Sequence, residues 1–342
     1  MSKLKLTLAC LDYDRVRPLM DGRVQPNGID LNILTMRPRE TFPRMLERSE
    51  FEASELSLAS YTILKAKGDT RFVSIPVALS KLFRHSCIYV RKGSGITSPA
   101  DLKGKRVGTT QYGSTAVVFI KGLLQDEYGV RSEDMHWFMG GLEAPVQNPL
   151  LPLALPDKFK LEMLRDGVTL EHMLERGELD ALFSIYLPPS FLAGAPHVSR
   201  LFPDYKAVEQ AYYKKTGIFP IMHTVVLRRD IHEANPWAAR NLFAAFTAAK
   251  DLAIDGLYDT DALHLSLPFL LDHIEENWRV FGHDFWSYGL DANRATLSAI
   301  GRWVHDQGLA PRVVRAEEIF DPAMDGSGDL EPVVRRSAIP RV

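Results

Sequence analysis

The stretch Asp101 to Tyr128, DLKGKRVGTTQYGSTAVVFIKGLLQDEY, decides how the chain is read. Lys105 to Thr109, KRVGT, has the form of a short buried strand. Thr110 to Gly113 is polar and carries the glycine that a tight turn needs. Ser114 or Thr115 caps a helix whose next residues, Ala116 to Ile120, are apolar almost all round. A strand that runs through a polar turn into a helix is the building unit of an α/β fold. The helix N-terminus offers free amides and the positive end of the helix dipole, which suits a carboxylate or phosphate. Many such turns bind nothing, so this stretch by itself only nominates Gln111, Ser114 and Thr115 as ligand contacts.

Working outward, the same alternation continues on both sides. Before it, Lys3–Cys10, Ile29–Leu34, Phe51–Glu55, Phe72–Ala78 and Ser86–Arg91 read as strands. Helices are expected over Glu40–Arg48 and over Ser57–Lys67, which Gly68 closes. After it, Met135–Phe138 and Asp180–Tyr186 read as strands, with helices from Thr169 to Gly177 and from Pro203 to Lys215. Gly140–Asp157 is rich in proline and glycine and reads as irregular connection. Phe219–Arg228 is a further strand, and from there the chain is helical. Asn235-Pro236 starts a helix that runs to about Ile254, and two more span Pro268–Phe281 and Ala292–Gln307. The last twenty residues read as a polar surface arm.

The chain of 342 residues is long enough for two domains at ~150 residues each. The Gly/Ser/Pro segment Gly93–Pro99 is the expected first crossing between them, and the Phe219–Arg228 strand the expected return. That gives a discontinuous domain of residues 1–91 and 219–342, with residues 92–218 inserted, and a ligand cleft at the pair of crossing strands. The sheets are expected to be mixed and flanked by helices.

With 41 basic and 43 acidic residues the formal net charge is −2, and no basic block argues for nucleic acid or a membrane surface. No run approaches the ~18 apolar residues of a membrane span. The opening MSKLKLTLACLDYDR has too short an apolar run for a secretion signal, so a cytoplasmic protein is expected. The two cysteines, Cys10 and Cys87, lie in apolar runs and read as buried thiols of a reducing compartment.

Four segments carry a family resemblance: LKGKRVGTTQYGSTAVVFIKGLLQDEYGV, GELDALFSIYLPPSF, TGIFPIMHTVVLRRD, and FGHDFWSYGLDANR with DQGLAPR. The chain resembles the 4,5-dihydroxyphthalate decarboxylases over essentially its whole length. LKGKRVG is shared with many solute-binding proteins, whereas PIMH and DFWSYG…NR are more particular to the decarboxylase branch. The resemblance implies a type II periplasmic-binding-protein fold, a small aromatic acid as partner, and non-oxidative decarboxylation to protocatechuate and CO2. It is compatible with a homo-oligomer. The other readings are a cytosolic aromatic-acid-binding protein without catalysis, and a decarboxylase for another hydroxybenzoate. Menaquinone-route enzymes and thiamine-pyrimidine synthases use the same scaffold; the latter need a histidine and lysine arrangement that has no clear match here.

His85 and His223 lie at the two crossings, and both imidazoles are expected to face the cleft as proton donor and acceptor. Glu55, at a strand end, is read either as a base for a ring hydroxyl or as a residue favouring a helix N-terminus. Arg15, Arg17 and Arg84 adjoin strand ends, and one of them is expected to hold a carboxylate through its planar fork, with Arg15 or Arg84 ahead. Asp12 or Asp14 with the histidines could form a metal site, but no close HxH or HxxxE spacing supports it and no metal is expected. No organic cofactor is expected either, because a hydroxyl para to the departing carboxylate is an electron sink. Phe281, Phe285, Trp286 and Tyr288 read as core or hinge packing.

Overall fold

The computed structural model describes residues 3–144, 149–263, 265–324 and 331–334. The terminal arm expected from the sequence lies largely outside these residues. The strands are β1 (Leu4–Cys10), β2 (Val24–Gln25), β3 (Ile29–Thr35), β4 (Ala53–Ser57), β5 (Phe72–Lys81), β6 (Ile88–Arg91), β7 (Arg106–Thr109), β8 (His136–Met139), β9 (Leu161–Met163), β10 (Ala181–Phe183), β11 (Val198–Arg200), β12 (Ile221–Arg228) and β13 (Val333–Val334). The helices are α1 (Arg17–Met20), α2 (Pro38–Arg48), α3 (Leu58–Ala66), α4 (Thr115–Tyr128), α5 (Leu170–Arg176), α6 (Pro189–Leu192), α7 (Tyr205–Thr216), α8 (Arg229–Ala234), α9 (Trp237–Asp255), α10 (Leu270–Phe281), α11 (Arg294–Asp306) and α12 (Ala316–Ile319).

These strands form two principal sheets. The first has the order β3-β1-β4-β12-β5 and the second β11-β6-β10-β7-β8-β9. In the first sheet β1 runs parallel to β3 and β4, whereas β12 runs antiparallel to both β4 and β5. The late strand β12 is therefore wedged between two early ones, which returns the chain to the first sheet after it has built the second. Because β6 already belongs to the second sheet, the first passage falls between Lys81 and Ile88. The expected boundary at residue 91 moves accordingly: Ser86–Arg91 has the pattern of a strand, and the pattern says nothing about which sheet takes it.

Between β5 and β12 the register shifts repeatedly from Ile221 to Val225. Irregular pairing of this kind twists a strand and re-aims its side chains, and here it brackets His223.

The opening stretch folds as read. Ser114 caps α4 by accepting the amide of Val117 at 3.4 Å, and Gly129 closes the helix in the left-handed region. Helix α4 is buried from Thr115 to Leu124, which explains its nearly continuous apolar run there. It packs against β12 of the first sheet, against α3 and against α11. Gly122 permits the last contact, since a Cβ there would lie 2.1 Å from the Trp303 ring. One apolar core thus runs through both sheets, from Leu8, Ile75 and Val225 to Val107 and Phe183.

Candidate active site

A cleft of about 1690 Å³ opens between the sheets. Three helix starts contribute to its wall: Arg37 and Pro38 of α2, Ser57 and Ser60 of α3, and Ser114 to Ala116 of α4. Glycine and serine turns at strand ends recur in α/β folds because a sheet edge and a helix start converge there, leaving amides for a ligand. The starts of α3 and α4 are tied to each other. Thr115 Oγ1 lies 2.9 Å from Ser57 Oγ and accepts the Ala59 amide at 3.0 Å. The Thr115 side chain is thereby spent on joining the two lobes, and Ser114 on its cap. The Gln111 side chain, also on the wall, accepts the Leu150 amide at 3.2 Å.

His223 lines this cleft with its side chain 21% exposed. Its setting follows from the ladder. Val225 pairs with Glu55 and His223 with Ser57, so Glu55 and His223 are diagonal neighbours on one face of the sheet. Glu55 Oε1 accepts from His223 Nδ1 at 2.6 Å and from the Tyr13 hydroxyl at 2.6 Å, while Oε2 accepts the Leu11 amide at 2.9 Å. With Nδ1 bound to the carboxylate, Nε2 sits on the far side of the ring. Phe42 packs edge-on against the imidazole, with centroids 5.0 Å apart.

Glu55 is fully buried. Burial alone would push its carboxyl up. The hydrogen bond and charge of His223, with the Tyr13 and Leu11 donors, outweigh it and hold Glu55 below the ordinary glutamate range. Burial and the Glu55 charge push the Tyr13 phenol up, so it stays a donor. The same two causes push up the Cys10 thiol, which is buried and inert.

Of Arg15, Arg17 and Arg84, Arg84 is the one on the cleft wall. It lines the cleft although only 9% exposed. Its Nε faces Met222 Sδ at 3.2 Å and its Nη1 faces Cys87 Sγ at 3.8 Å. Among the described residues no carboxylate neutralises it. A desolvated guanidinium whose protein partners are only sulfur atoms retains its capacity for a bidentate anion. Arg37 and Arg39 stand exposed at the mouth.

Four expected residues fall elsewhere. His85 is 1% exposed in a turn after β5, covered by Phe202 and Tyr212 at 5.4 and 5.2 Å. Glu209 Oε1 lies 3.7 Å from its Nδ1, and His85 is not on the cleft wall. It is thus no partner of His223, because the chain turns away from the sheet before reaching it. Glu55 does not reach the cleft either, so it orients His223 and is not itself a base toward a ligand. Arg15 donates to the Leu79 carbonyl and to Asp14, and Arg17 is an exposed ion pair with Asp12; neither lines the cleft. The residues that sequence reasoning passed over are Tyr13, Phe42, Ser57 and Ser60. Ser57 is visible as a helix cap, but nothing in the sequence links Tyr13 to Glu55. Phe281 and Trp286 pack on Phe219 near the ends of β5 and β12, as their pattern suggests.

Among the described residues, no group of three or more His, Cys, Asp or Glu side chains is arranged to hold a metal. No described helix is long and apolar enough to cross a membrane.

Two sheets flanking a cleft lined by helix N-termini and arginines define a periplasmic-binding-protein-like α/β protein. A family model described as the periplasmic substrate-binding protein of a phosphonate ABC transporter matches residues 14–148. The periplasmic aliphatic sulphonate binding protein SsuA of Escherichia coli superposes with TM-score 0.50 at 14% identity, covering 93% of this chain and 98% of that one. SsuA of Methylobacillus flagellatus KT gives TM-score 0.54 at 15% identity, over 94% and 93% of the two chains. Sequence relatives narrow this. A 4,5-dihydroxyphthalate decarboxylase of Comamonas testosteroni is 39% identical over 94% of this chain and 98% of its own length. One from Pseudomonas putida is 38% identical over 63% of this chain and 83% of its own. The chain belongs to the 4,5-dihydroxyphthalate decarboxylase family.

Proposed function

We propose that the protein is a cytoplasmic carboxy-lyase that converts 4,5-dihydroxyphthalate to protocatechuate and CO2 in the cleft at His223. The observation that carries this reading is the juxtaposition, on one cleft, of an imidazole backed by a buried carboxylate with a desolvated arginine that has no anionic partner among the described residues. The family supplies the substrate; the site supplies a means for each part of it. Arg84 and the amide-rich start of α4 hold the carboxylate that stays. Arg37 and Arg39 favour entry of a dianion.

In the reaction, protonated His223 Nε2 delivers its proton to the ring carbon that bears the departing carboxylate. The hydroxyl para to that carbon supplies electron density and stabilises the resulting cation. CO2 then leaves, and the electron pair of the broken C–C bond restores the aromatic ring. His223 regains its proton from solvent. Proton transfer by a positioned imidazole contributes roughly 10²–10⁴ in rate. Glu55 fixes the tautomer and offsets the positive charge of the ring while it holds its proton. No organic cofactor enters this scheme, because the protonated ring itself accepts the electron pair of the broken C–C bond and the hydroxyl stabilises that cation.

The test is incubation of the purified protein with 4,5-dihydroxyphthalate, following CO2 and protocatechuate. Stoichiometric release of both supports the reading. Saturable binding with no product would instead make the protein an aromatic-acid binder, and turnover confined to another hydroxybenzoate would reassign the substrate.

A further inference from the structure

Arg15 reads from sequence as a carboxylate clamp, yet it makes no contact with the cleft. Its guanidinium lies between two aromatic faces, with Cζ 4.3 Å from the Tyr13 ring centroid and 4.3 Å from that of Trp286. Its Nε donates to the Leu79 carbonyl at 2.8 Å, Nη2 donates to the same carbonyl, and Nη1 donates to Asp14 Oδ1 at 2.9 Å. Trp286 donates its indole N–H to the neighbouring Ala78 carbonyl at 3.0 Å. Trp286 and the middle layer, Arg15, are therefore pinned to consecutive carbonyls of β5, the strand that leads to the first passage between the lobes. Tyr13, the other outer layer, donates to Glu55, and Glu55 holds His223.

We infer that Arg15 and Trp286 are positioning residues for the proton carrier: the stack Trp286–Arg15–Tyr13 fixes where the Tyr13 hydroxyl meets Glu55, and so fixes the His223 ring. The inference rests on the reading of His223 as the proton carrier. The physical reason is reach. Tyr13 stands on the loop between β1 and α1, and a loop side chain holds a 2.6 Å hydrogen bond only if its ring is clamped. A guanidinium between two aromatic faces clamps through cation–π attraction on both sides. A misplacement well under 1 Å at the reacting group is costly in rate, since 1 Å alone costs about a hundredfold.

The experiment uses Arg15→Met, which keeps the length and loses the charge, and Arg15→Lys, which keeps the charge without the planar fork. Two readouts are taken. In steady-state decarboxylation, Arg15→Met is expected to lower kcat by about tenfold or more at unchanged KM, with Arg15→Lys in between. In histidine-labelled protein, the downfield proton resonance of His223 Nδ1–H is expected to move or broaden in Arg15→Met. An unchanged resonance and an unchanged kcat overturn the inference, and so does a loss carried wholly by KM. If wild-type protein decarboxylates nothing, the functional reading fails and the resonance alone decides the positioning role. Should Arg15→Met not fold, Trp286→Leu removes one outer layer of the same stack and is held to the same two readouts.

Discussion

The chain passes between its two sheets twice, and each passage carries a histidine. His223 lies within β12, on the cleft, with a carboxylate 2.6 Å behind it. His85 lies in the turn after β5, sealed under Phe202 and Tyr212, with Glu209 3.7 Å away and, among the described residues, no hydrogen bond to Nδ1. Residue type and place in the topology are the same; the environments are opposite. A strand fixes the direction of its side chains through its ladder, so Glu55 and His223 share a face by register. A turn carries no such rule, and His85 follows the chain into the packing against α7. The crossing histidine that faces the cleft is the one that the sheet holds together with its partner.

The comparison breaks first on activity. His223→Asn is expected to cut kcat by roughly 10²–10⁴, whereas His85→Asn should leave it within a few-fold and act on stability instead. Steady-state assays of the two purified variants, with thermal melts beside them, check both halves. Equal losses in the two variants would erase the distinction.

The next effect belongs to two arginines, one on the cleft wall and one at the start of α1. Arg84→Met removes the buried charged donor of the cleft wall, at a cost of about 1.5–3 kcal/mol, roughly ten- to a hundredfold in kcat/KM. The rise should appear in KM and in the Kd for phthalate measured by calorimetry. Arg17→Met, at an exposed pair with Asp12, should change neither.

Glu55 sharpens the comparison on the His223 side. Its folded-state pKa lies below its unfolded value, so its ionised form adds stability above the ordinary glutamate pKa of about 4.3. That contribution is lost as pH falls through the lower, folded value. Melting temperature should therefore fall more steeply from pH 5 to pH 3, both approximate bounds, in wild type than in Glu55→Gln.

The smallest effect is at the first passage. Lys81, at the end of β5, is buried and donates to Ser287 Oγ at 3.2 Å, and burial lowers its pKa from 10.5 to about 7. Between those values the unfolded chain binds the extra proton, so stability rises with pH across that window. Lys81→Met should flatten this rise by a few degrees of melting temperature between pH 7 and 10.5.

These contrasts also mark what could be read in advance. The strand, turn and helix of 101–128 were legible because periodicity, cap and turn glycine agree there. Ser57 and Gly68 likewise announce themselves as the ends of α3. Strands β9 and β11 have three residues each and carry no period to detect. Ser86–Arg91 showed its strand and hid its sheet, which displaced the first passage. Among the site residues, His223, Arg84, Gln111, Ser114 and Thr115 do meet at the cleft. Arg15 and Arg84 look alike in sequence, each beside a strand end. What separates them is the partners that tertiary packing supplies, carbonyls and aromatic faces for one and sulfur atoms for the other. Tyr13 was illegible for the same reason, since its hydroxyl acts 42 residues away in sequence.

The central claim is that substrate sits between Arg84 and His223. The direct measurement is a crystal structure with phthalate, which has both carboxylates and no hydroxyl to drive their loss. The account predicts one carboxylate on the Arg84 guanidinium and the ring about 3–3.5 Å from His223 Nε2. Phthalate seated instead at the Lys158 and His305 end of the cleft, with Arg84 and His223 untouched, would contradict it.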